Sequence, residues 1–175
     1  MRIDRIEEFL LTTETKKAIS ALLHTCFPGY PAHQTYYKYP PNFRYLAWEG
    51  QTLIGHMGVV SRLISYEGDL LPIFGIMDLC VSPAYQHQKL GSHLLRELET
   101  LGKKSGIDFI LLVAKEGELY LNNGFQSEDN LCKWLLLTGN RALGLVKRQL
   151  PDLMVKPLQL KPWPGGTIDL MGPLF

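Results

Sequence analysis

The sequence lacks the features that assign many proteins to a membrane or to nucleic acid. It contains no apolar run near the roughly 18 residues that a membrane-spanning helix needs, and its opening, "MRIDRIEEFL", shows no secretory signal. Its 18 Lys and Arg against 17 Asp and Glu leave a formal net charge of +1, which points to neither partner. We therefore expect no nucleic acid, no membrane and a cytoplasmic location.

Patterns typical of metal and nucleotide sites are also missing. The three cysteines, Cys26, Cys80 and Cys132, form no CxxC pair, and the five histidines show no HExxH spacing. Neither the phosphate loop GxxxxGK(S/T) nor the dinucleotide fingerprint GxGxxG occurs. The odd number of scattered cysteines favours reduced thiols, and we expect no metal cofactor.

What is present fits one globular domain. A chain of 175 residues that is 46% hydrophobic and 20% charged can bury a sizeable core. We divide this single domain, 1–175, into three parts. Residues 1–42 hold a first strand, a helix and a tyrosine-rich irregular loop, 43–137 hold the central elements, and 138–175 hold further strands and a turn-rich tail that we expect to cap the core.

Apolar periodicity predicts a mixed α/β architecture. Three extended runs starting near Phe43, Thr52 and Asp69 follow one another with short spacers, which favours an antiparallel meander. A helix comes next, because its leucines recur on one face: Leu90, Leu94, Leu95, Leu98 and Leu101. The buried-type run "DFILLVA" then completes a strand–helix–strand unit, which predicts a right-handed crossover with parallel pairing. A short helix in "EGELYLNN" and more strands follow.

The loop before the leucine-faced helix, in "VSPAYQHQKLGSHLL" (residues 81–95), carries the main functional signal. A helix N-terminus offers unpaired backbone N–H groups and a partial positive charge, which suit a phosphate. Gln86 and Gln88 add neutral donors, Lys89 adds a cation and Ser92 adds a hydroxyl. This arrangement favours a pyrophosphate; an ordinary polar loop between a strand and a helix is the alternative.

The same stretch resembles the acyl-CoA-binding motif of the GNAT superfamily, the Gcn5-related N-acetyltransferases. The family pattern is Arg/Gln-x-x-Gly-x-Gly/Ala: Gln86 matches its first position and Gly91 its last, whereas Lys89 replaces the first glycine. Downstream, "LYLNNGF" resembles the family's Leu-Tyr-x-x-x-Gly-Phe, with Tyr120 and Gly124 in register. The resemblance covers about residues 40 to 160.

This resemblance implies a fold and a cofactor. The expected fold is a GNAT-like central mixed sheet, mostly antiparallel and of about six to seven strands, with a β-α-β acyl-CoA-binding core and helices on both faces. The expected co-substrate is acetyl-CoA, without a metal. The residues expected to bind it are Leu79, Cys80, Val81, Gln86, His87, Gln88, Lys89, Leu90, Gly91, Ser92 and Asn122.

The resemblance also implies a mechanism in which an amine attacks the acetyl thioester directly. Tyr120 is then expected to protonate the departing thiolate, since a phenol has a pKa of about 10; an aromatic ring that packs under the cofactor is the alternative. Our first choice for the general base is Asp78, with Glu116 and Glu118 as further candidates, although each can equally be a solvated or hydrogen-bonded carboxylate. For Cys80 we favour a small buried hydrophobe over a covalent nucleophile.

Three functions stay open. The first is an N-acetyltransferase acting on a small-molecule or peptide amine, with residues 1–42 supplying the acceptor loop. The second is a longer-chain acyltransferase using acyl-CoA or an acyl carrier protein, because "HMG" (residues 56–58) and "WPGGTIDLMGP" (residues 163–173) resemble segments of rhizobial nodulation N-acyltransferases. The third is a non-catalytic CoA-binding regulator, suggested by Lys89. The acceptor is not predicted, and a homodimer is compatible with the sequence.

Overall fold

The computed structural model describes residues 1–139 and 141–175. Within these residues the chain forms three α-helices and ten β-strands, in the order β1 (Arg2–Glu7), α1 (Thr13–Cys26), β2 (Phe43–Glu49), β3 (Thr52–Tyr66), β4 (Asp69–Val81), α2 (Leu90–Lys104), β5 (Phe109–Val113), α3 (Glu118–Leu121), β6 (Gln126–Glu128), β7 (Leu131–Thr138), β8 (Arg141–Gln149), β9 (Leu153–Pro157) and β10 (Thr167–Pro173). None of the helices among the described residues is long and apolar enough to cross a membrane.

The strands join in one mixed sheet. Its main path runs β6-β9-β5-β4-β3-β10-β7-β8, and β1 and β2 extend from β3 beside this path. β4 and β5 pair in parallel, from Ile73↔Phe109 to Gly75↔Leu111, so the predicted β-α-β unit is confirmed. β10 and β7 are also parallel, whereas the pairs β1–β2, β2–β3, β3–β10, β5–β9, β6–β9 and β7–β8 are antiparallel. The mostly antiparallel sheet is confirmed, with ten strands where six to seven were expected.

The C-terminal tail differs from the prediction. Its turn residues favoured a tail that caps the core, but residues from Thr167 to Pro173 form a strand, β10, which pairs with β7 and, at Asp169↔Ser65, with β3. Ile168 and Leu170 alternate into the core, and this alternation stabilises a strand despite its flanking turn residues. The chain end still covers the sheet, because the Phe175 ring lies against Gly75 and leaves no room for a Cβ there.

The chain divides into two compact units. The first consists of Met1–Val60 and Ile76–Arg96, and the second of Ser61–Gly75 and Glu97–Phe175. β3, β4 and α2 continue from one unit into the other. The single-domain organisation with boundaries at 42 and 137 stays a prediction.

The first unit packs α1 on the strands. The helix begins at the N-cap Thr12, whose Oγ1 accepts a hydrogen bond of 3.2 Å from the Thr15 amide, a stabilising cap. Its buried side chains, Ile19, Leu22 and Leu23, pack in one cluster with Leu11 before the helix and with Leu46, Leu53 and Cys80 of the strands. The register between β2 and β3 shifts between Ala47, which pairs with Gly55, and Trp48, which pairs with Leu53, as at a β-bulge.

The second unit buries the inner faces of its strands. Its core cluster is Ile64, Leu71, Ile73, Phe109, Leu111, Cys132, Leu150, Leu153, Val155, Ile168 and Leu170.

The predicted apolar face of α2 is confirmed as well, since Leu90, Leu94, Leu95 and Leu98 are all buried. This face fixes where α2 begins, and therefore where the loop before it ends.

Candidate functional site

The loop between β4 and α2 is anchored where it leaves β4. After Val81 the chain makes one 3-10 turn, Pro83–Tyr85. The Ser82 amide donates to the Ile54 carbonyl of β3 at 2.8 Å, and the Gln86 side-chain amide donates back to the Val81 carbonyl at 3.2 Å. The side chain of Gln86 therefore braces the loop against the strand end.

Two residues of this loop adopt left-handed backbone. His87 has φ 60 and Lys89 has φ 61, a region that costs a residue with a Cβ about 1–2 kcal/mol and that glycine tolerates. Lys89 stands where the acyl-CoA-binding pattern has glycine, so the glycine-type backbone is kept although the residue differs. The first bond of α2, from the His93 amide to the Lys89 carbonyl at 3.0 Å, starts the helix directly after it.

The loop and the first turn of α2 form a surface rich in donors. In an α-helix the first amides have no carbonyl partner within the helix, and here these belong to Leu90 and Gly91. The side chains of Gln86, His87, Gln88 and Lys89 are exposed around them, Ser92 is half-buried, and no acidic residue occurs from 81 to 92. Such a set of donors suits a phosphate group and not a metal cation.

The end of β4 presents backbone next to this loop. Leu79 and Val81 are half-buried and Cys80 is buried between them. The Val81 carbonyl accepts from the Cys26 thiol at 3.5 Å as well as from Gln86, so both of its lone pairs are engaged. The hydrogen bond with Cys26, followed by burial, raises the pKa of the Cys80 thiol far above its ordinary value, which supports a structural thiol and not a nucleophile.

Asp78 lies within β4, three residues before Val81 at its end, in a left-handed conformation with φ 49. Its Oδ2 accepts a 2.8 Å hydrogen bond from the Tyr30 hydroxyl, contributed by the tyrosine-rich loop. Burial raises the pKa of the Asp78 carboxyl, while Tyr30 and Arg44 act in the opposite direction. A carboxyl with a raised pKa, close to an irregular loop, has the properties of a general base.

A buried polar network behind Asp78 was not singled out from the sequence. Arg44 is fully buried; its Nε and Nη2 contact the two carboxylate oxygens of Glu8 at 2.6 and 3.0 Å, and its Nη1 donates to the Thr35 carbonyl and to His56 Nε2, both at 2.8 Å. His56, also fully buried, bonds through Nδ1 to the Asp78 carbonyl oxygen at 2.8 Å. The signal available in the sequence was a polar residue inside an apolar stretch of each strand, Arg44 near the start of β2 and His56 between Leu53 and Val60 of β3.

The predicted acid, Tyr120, lies in the second unit, in the four-residue helix α3. Its carbonyl accepts from the Phe125 amide at 3.1 Å, and the two rings meet edge to face at 5.6 Å. Lys156 secures the following turn by donating to the Asn123 carbonyl at 2.7 Å while its Nζ pairs with Glu99 at 2.5 Å. The turn that carries Tyr120 is therefore held on both sides.

The remaining candidate residues are on the surface. Asn122, Glu116 and Glu118 are exposed. Asp78 and the cofactor-loop residues to Ser92 lie in the first unit, and Tyr120 and Asn122 in the second. Among the described residues no group of three or more His, Cys, Asp or Glu could hold a metal ion.

A cleft of about 460 Å³ opens on the exposed face of α1. It is lined by Thr13, Lys16, Lys17, Ser20, Ala21, His24, Ala32 and His33. It contains none of the predicted site residues, so it adds nothing to the cofactor assignment.

A family model described as "Acetyltransferase (GNAT) domain" matches residues 10–127. The chain is similar to the GNAT family N-acetyltransferase YhbS from Escherichia coli, solved in complex with CoA, at 17% identity and a TM-score of 0.65, covering 96% of this chain and 89% of that one. No curated protein sequence gives a significant match.

Two further solved structures share the fold over nearly their whole length. One is a GNAT family acetyltransferase from Brucella melitensis in complex with acetyl-CoA, at 15% identity and a TM-score of 0.60, with 95% of this chain and 94% of that one covered. The other is an aminoglycoside 6'-N-acetyltransferase complexed with coenzyme A, at 15% identity and a TM-score of 0.61, with 93% and 100% covered. At these identities the likeness establishes the shared fold alone.

Proposed function

Because the chain belongs to the GNAT acetyltransferase family, we propose that it transfers an acetyl group from acetyl-CoA to a primary amine of an acceptor. The observation that supports this proposal most is the loop before α2. It keeps the glycine-type backbone at Lys89, leads directly into the first turn of α2, and contains no acidic residue. The similar structures from Escherichia coli and Brucella melitensis contain CoA and acetyl-CoA.

The donor-rich loop fits the pyrophosphate of CoA. We assign the amides of Leu90 and Gly91 and the side chains of His87, Gln88 and Lys89 to its phosphate oxygens, since backbone N–H groups and cations at a helix start bind such anions. Ser92 can add its hydroxyl. Gln86 has a bracing role here, because its side-chain amide already donates to the strand end.

The strand end fits the pantetheine arm. An extended chain can pair with exposed strand backbone as a neighbouring strand does, and we assign this role to Leu79 and to the N–H group of Val81. The Val81 carbonyl is not part of the assignment, because Cys26 and Gln86 already occupy it. Cys80 contributes packing, and Asn122 stays a proposed cofactor contact from the resemblance.

Acetyl-CoA supplies an activated thioester, so the protein must deprotonate the amine and protonate the leaving thiolate. We assign the first task to Asp78, whose raised pKa makes it a stronger base than an exposed carboxylate. Its contact with Tyr30 places the tyrosine-rich loop beside it, which supports an acceptor bound at that loop. We assign the second task to Tyr120.

The first experiment separates cofactor binding from chemistry. Calorimetric titration of the wild type with acetyl-CoA should show one binding event, and a thiol-release assay with an amine panel should show turnover. Tyr120→Phe should keep the Kd within about twofold and lower kcat by about 100-fold or more, as expected for loss of a general acid. Tyr66→Phe, which removes a hydroxyl outside both motifs, is the matched control and should behave as the wild type.

The outcomes decide between the open functions. Absence of acetyl-CoA binding by the wild type contradicts the proposed function, and turnover by Tyr120→Phe at the wild-type rate removes Tyr120 from it. Binding without turnover across the amine panel favours a regulator. A series of acyl-CoA molecules of increasing chain length tests the longer-chain acyltransferase. This alternative is excluded if the affinity falls for acyl chains longer than a few carbons.

A further inference from the structure

The hydrogen bonds of His56 fix its protonation state. Arg44 can only donate, so His56 Nε2 must accept its 2.8 Å bond. The Asp78 carbonyl oxygen can only accept, so Nδ1 must carry the proton of the second 2.8 Å bond. His56 is therefore the neutral Nδ1–H tautomer, and burial together with the Arg44 charge lowers its pKa to about 3.

The bond from His56 acts on the backbone of Asp78. Asp78 has φ 49, a backbone conformation that residues other than glycine adopt rarely. Because a trans peptide is planar, turning the Asp78 carbonyl toward His56 points the N–H group of Leu79 in the opposite direction. His56 therefore determines on which side of β4 this amide lies.

The imidazole has little freedom to move. Arg44, which holds its other nitrogen, is itself fixed by the two oxygens of Glu8 and by the Thr35 carbonyl. Both Arg44 and His56 are fully buried, so water cannot replace these bonds readily. The chain of contacts from Glu8 through Arg44 and His56 ends at the Asp78–Leu79 peptide.

We propose that His56 is a positioning residue that holds this peptide so that the Leu79 N–H faces the thioester carbonyl and the Asp78 carboxyl faces the acceptor amine. The inference rests on the proposed function, since it assigns a role within that reaction. A fixed amide directed at a carbonyl oxygen stabilises the negative charge that develops there during acyl transfer. His56 itself touches neither substrate.

Two conservative variants separate the two bonds of the imidazole. Asn carries its amide near the position of Nδ1, so His56→Asn can still donate to the Asp78 carbonyl but loses the contact with Arg44. Gln reaches the position of Nε2, so His56→Gln can still accept from Arg44 but loses the contact with Asp78. The two variants thus distinguish positioning of the peptide from simple support of the core.

The proposal predicts a separation between kcat and binding. His56→Gln should lower kcat by about 10- to 100-fold, part of the loss seen when an oxyanion donor is removed, with the KM for acetyl-CoA within about threefold of the wild type. His56→Asn should retain at least about a third of the wild-type kcat, even if its Tm is the lower of the two. Equal kcat in both variants, or losses that follow Tm, would overturn the proposal.

A second readout does not depend on activity. In labelled wild-type protein at pH 7, NMR should show His56 as the neutral Nδ1–H tautomer, and the Asp78 carbon shifts should report left-handed backbone. His56→Gln should move the Asp78 and Leu79 signals, and His56→Asn should not. Unmoved signals in His56→Gln overturn the inference. If the signals move as expected but no amine is acetylated by the wild type, the proposed function fails while the positioning of the peptide stands.

Discussion

At Lys89 a lysine adopts a backbone conformation that normally favours glycine. Its φ of 61 is stable only because the loop around it is fixed, by the bond from Gln86 to Val81 on one side and by the start of α2 on the other. A lysine at this position therefore carries backbone strain that a glycine would not. In the proposed assignment, the strain is offset by a cation next to the amides assigned to the pyrophosphate.

This assignment predicts opposite effects on stability and affinity. Lys89→Gly should relieve the left-handed strain and change the unfolding free energy by about 0–1 kcal/mol in the stabilising direction, since glycine also loses more backbone entropy. Its acetyl-CoA affinity should fall by about 2- to 10-fold, the usual worth of one exposed phosphate contact, and less at high salt. Calorimetry at two salt concentrations measures the affinity for acetyl-CoA, and thermal unfolding measures the stability.

The matched variant is Lys89→Ala, which removes the ammonium group but keeps the Cβ. It should lose the same affinity as Lys89→Gly without gaining stability. Affinity that is unchanged in both variants would mean that the lysine side chain makes no contact with the cofactor.

Individual residues were predicted unevenly. Gln86, Gly91 and Tyr120 could be proposed as site residues because they belong to motifs that are local in sequence. The contacts of Arg44 with Glu8, 36 residues away, and of His56 with Asp78, 22 residues away, could not. Such pairs meet only once the strands have paired, so no local pattern contains them.

At the scale of elements, α2 is positioned by a close contact with β3. Gly55 lies beneath Leu90, the first residue of α2: a Cβ at position 55 would lie 3.2 Å from both Leu90 Cδ2 and Ala47 Cβ. Such distances are tight, so any side chain here must displace its neighbours. The position of the amides assigned to the pyrophosphate thus depends on a glycine 35 residues earlier in the chain.

Gly55→Ala should therefore weaken the cofactor site as well as the fold. We expect a loss of about 1–2 kcal/mol in unfolding free energy from overpacking, together with a 3- to 10-fold rise in the Kd for acetyl-CoA, about 1 kcal/mol. Gly165→Ala is the control, because a Cβ there meets nothing within 4 Å. Its unfolding free energy should stay within about 0.5 kcal/mol of the wild-type value. A stable Gly55→Ala protein with wild-type affinity would show that the start of α2 is not held by this contact.

The elements themselves followed from periodicity where it was clear. The leucine repeat of α2 and the apolar run of β5 were sufficient for the β-α-β unit. β6 has only three residues, too few to show an alternating pattern, and β8 is exposed along almost its whole length. Neither strand therefore has the apolar periodicity from which it could be predicted. β10 was missed because the stabilisation from its two neighbouring strands outweighs the turn residues beside it.

At the scale of the whole molecule, family and fold class could be predicted and the acceptor could not. Two short motifs, the first leading into α2 and the second lying in α3 and the turn after it, are enough to identify a cofactor-binding core. The irregular loop after α1, to which we assign the acceptor, takes its conformation from contacts such as Tyr30 with Asp78 and not from its own sequence pattern.

The buried histidine should also make the stability of the protein depend on pH. His56 has an ordinary pKa of 6.5 and a pKa of about 3 in the folded protein. Above pH 6.5 it is neutral in both the folded and the unfolded state and contributes no pH dependence. Below this value the unfolded chain binds the proton first, so the unfolding free energy falls by about 2 kcal/mol between pH 6.5 and about pH 5.

Asp78 contributes the opposite slope, because a carboxyl whose pKa is raised in the folded state stabilises that state as the pH falls. The contribution of His56 is therefore measured as a difference. Denaturant unfolding of the wild type and of His56→Asn, at a series of pH values from 7.5 to 4.5, keeps Asp78 in both proteins. The wild type should lose about 2 kcal/mol more than the variant on going from pH 6.5 to 5. Parallel curves would mean that the folded protein protonates His56 as readily as the unfolded chain does, which is incompatible with the acceptor bond from Arg44.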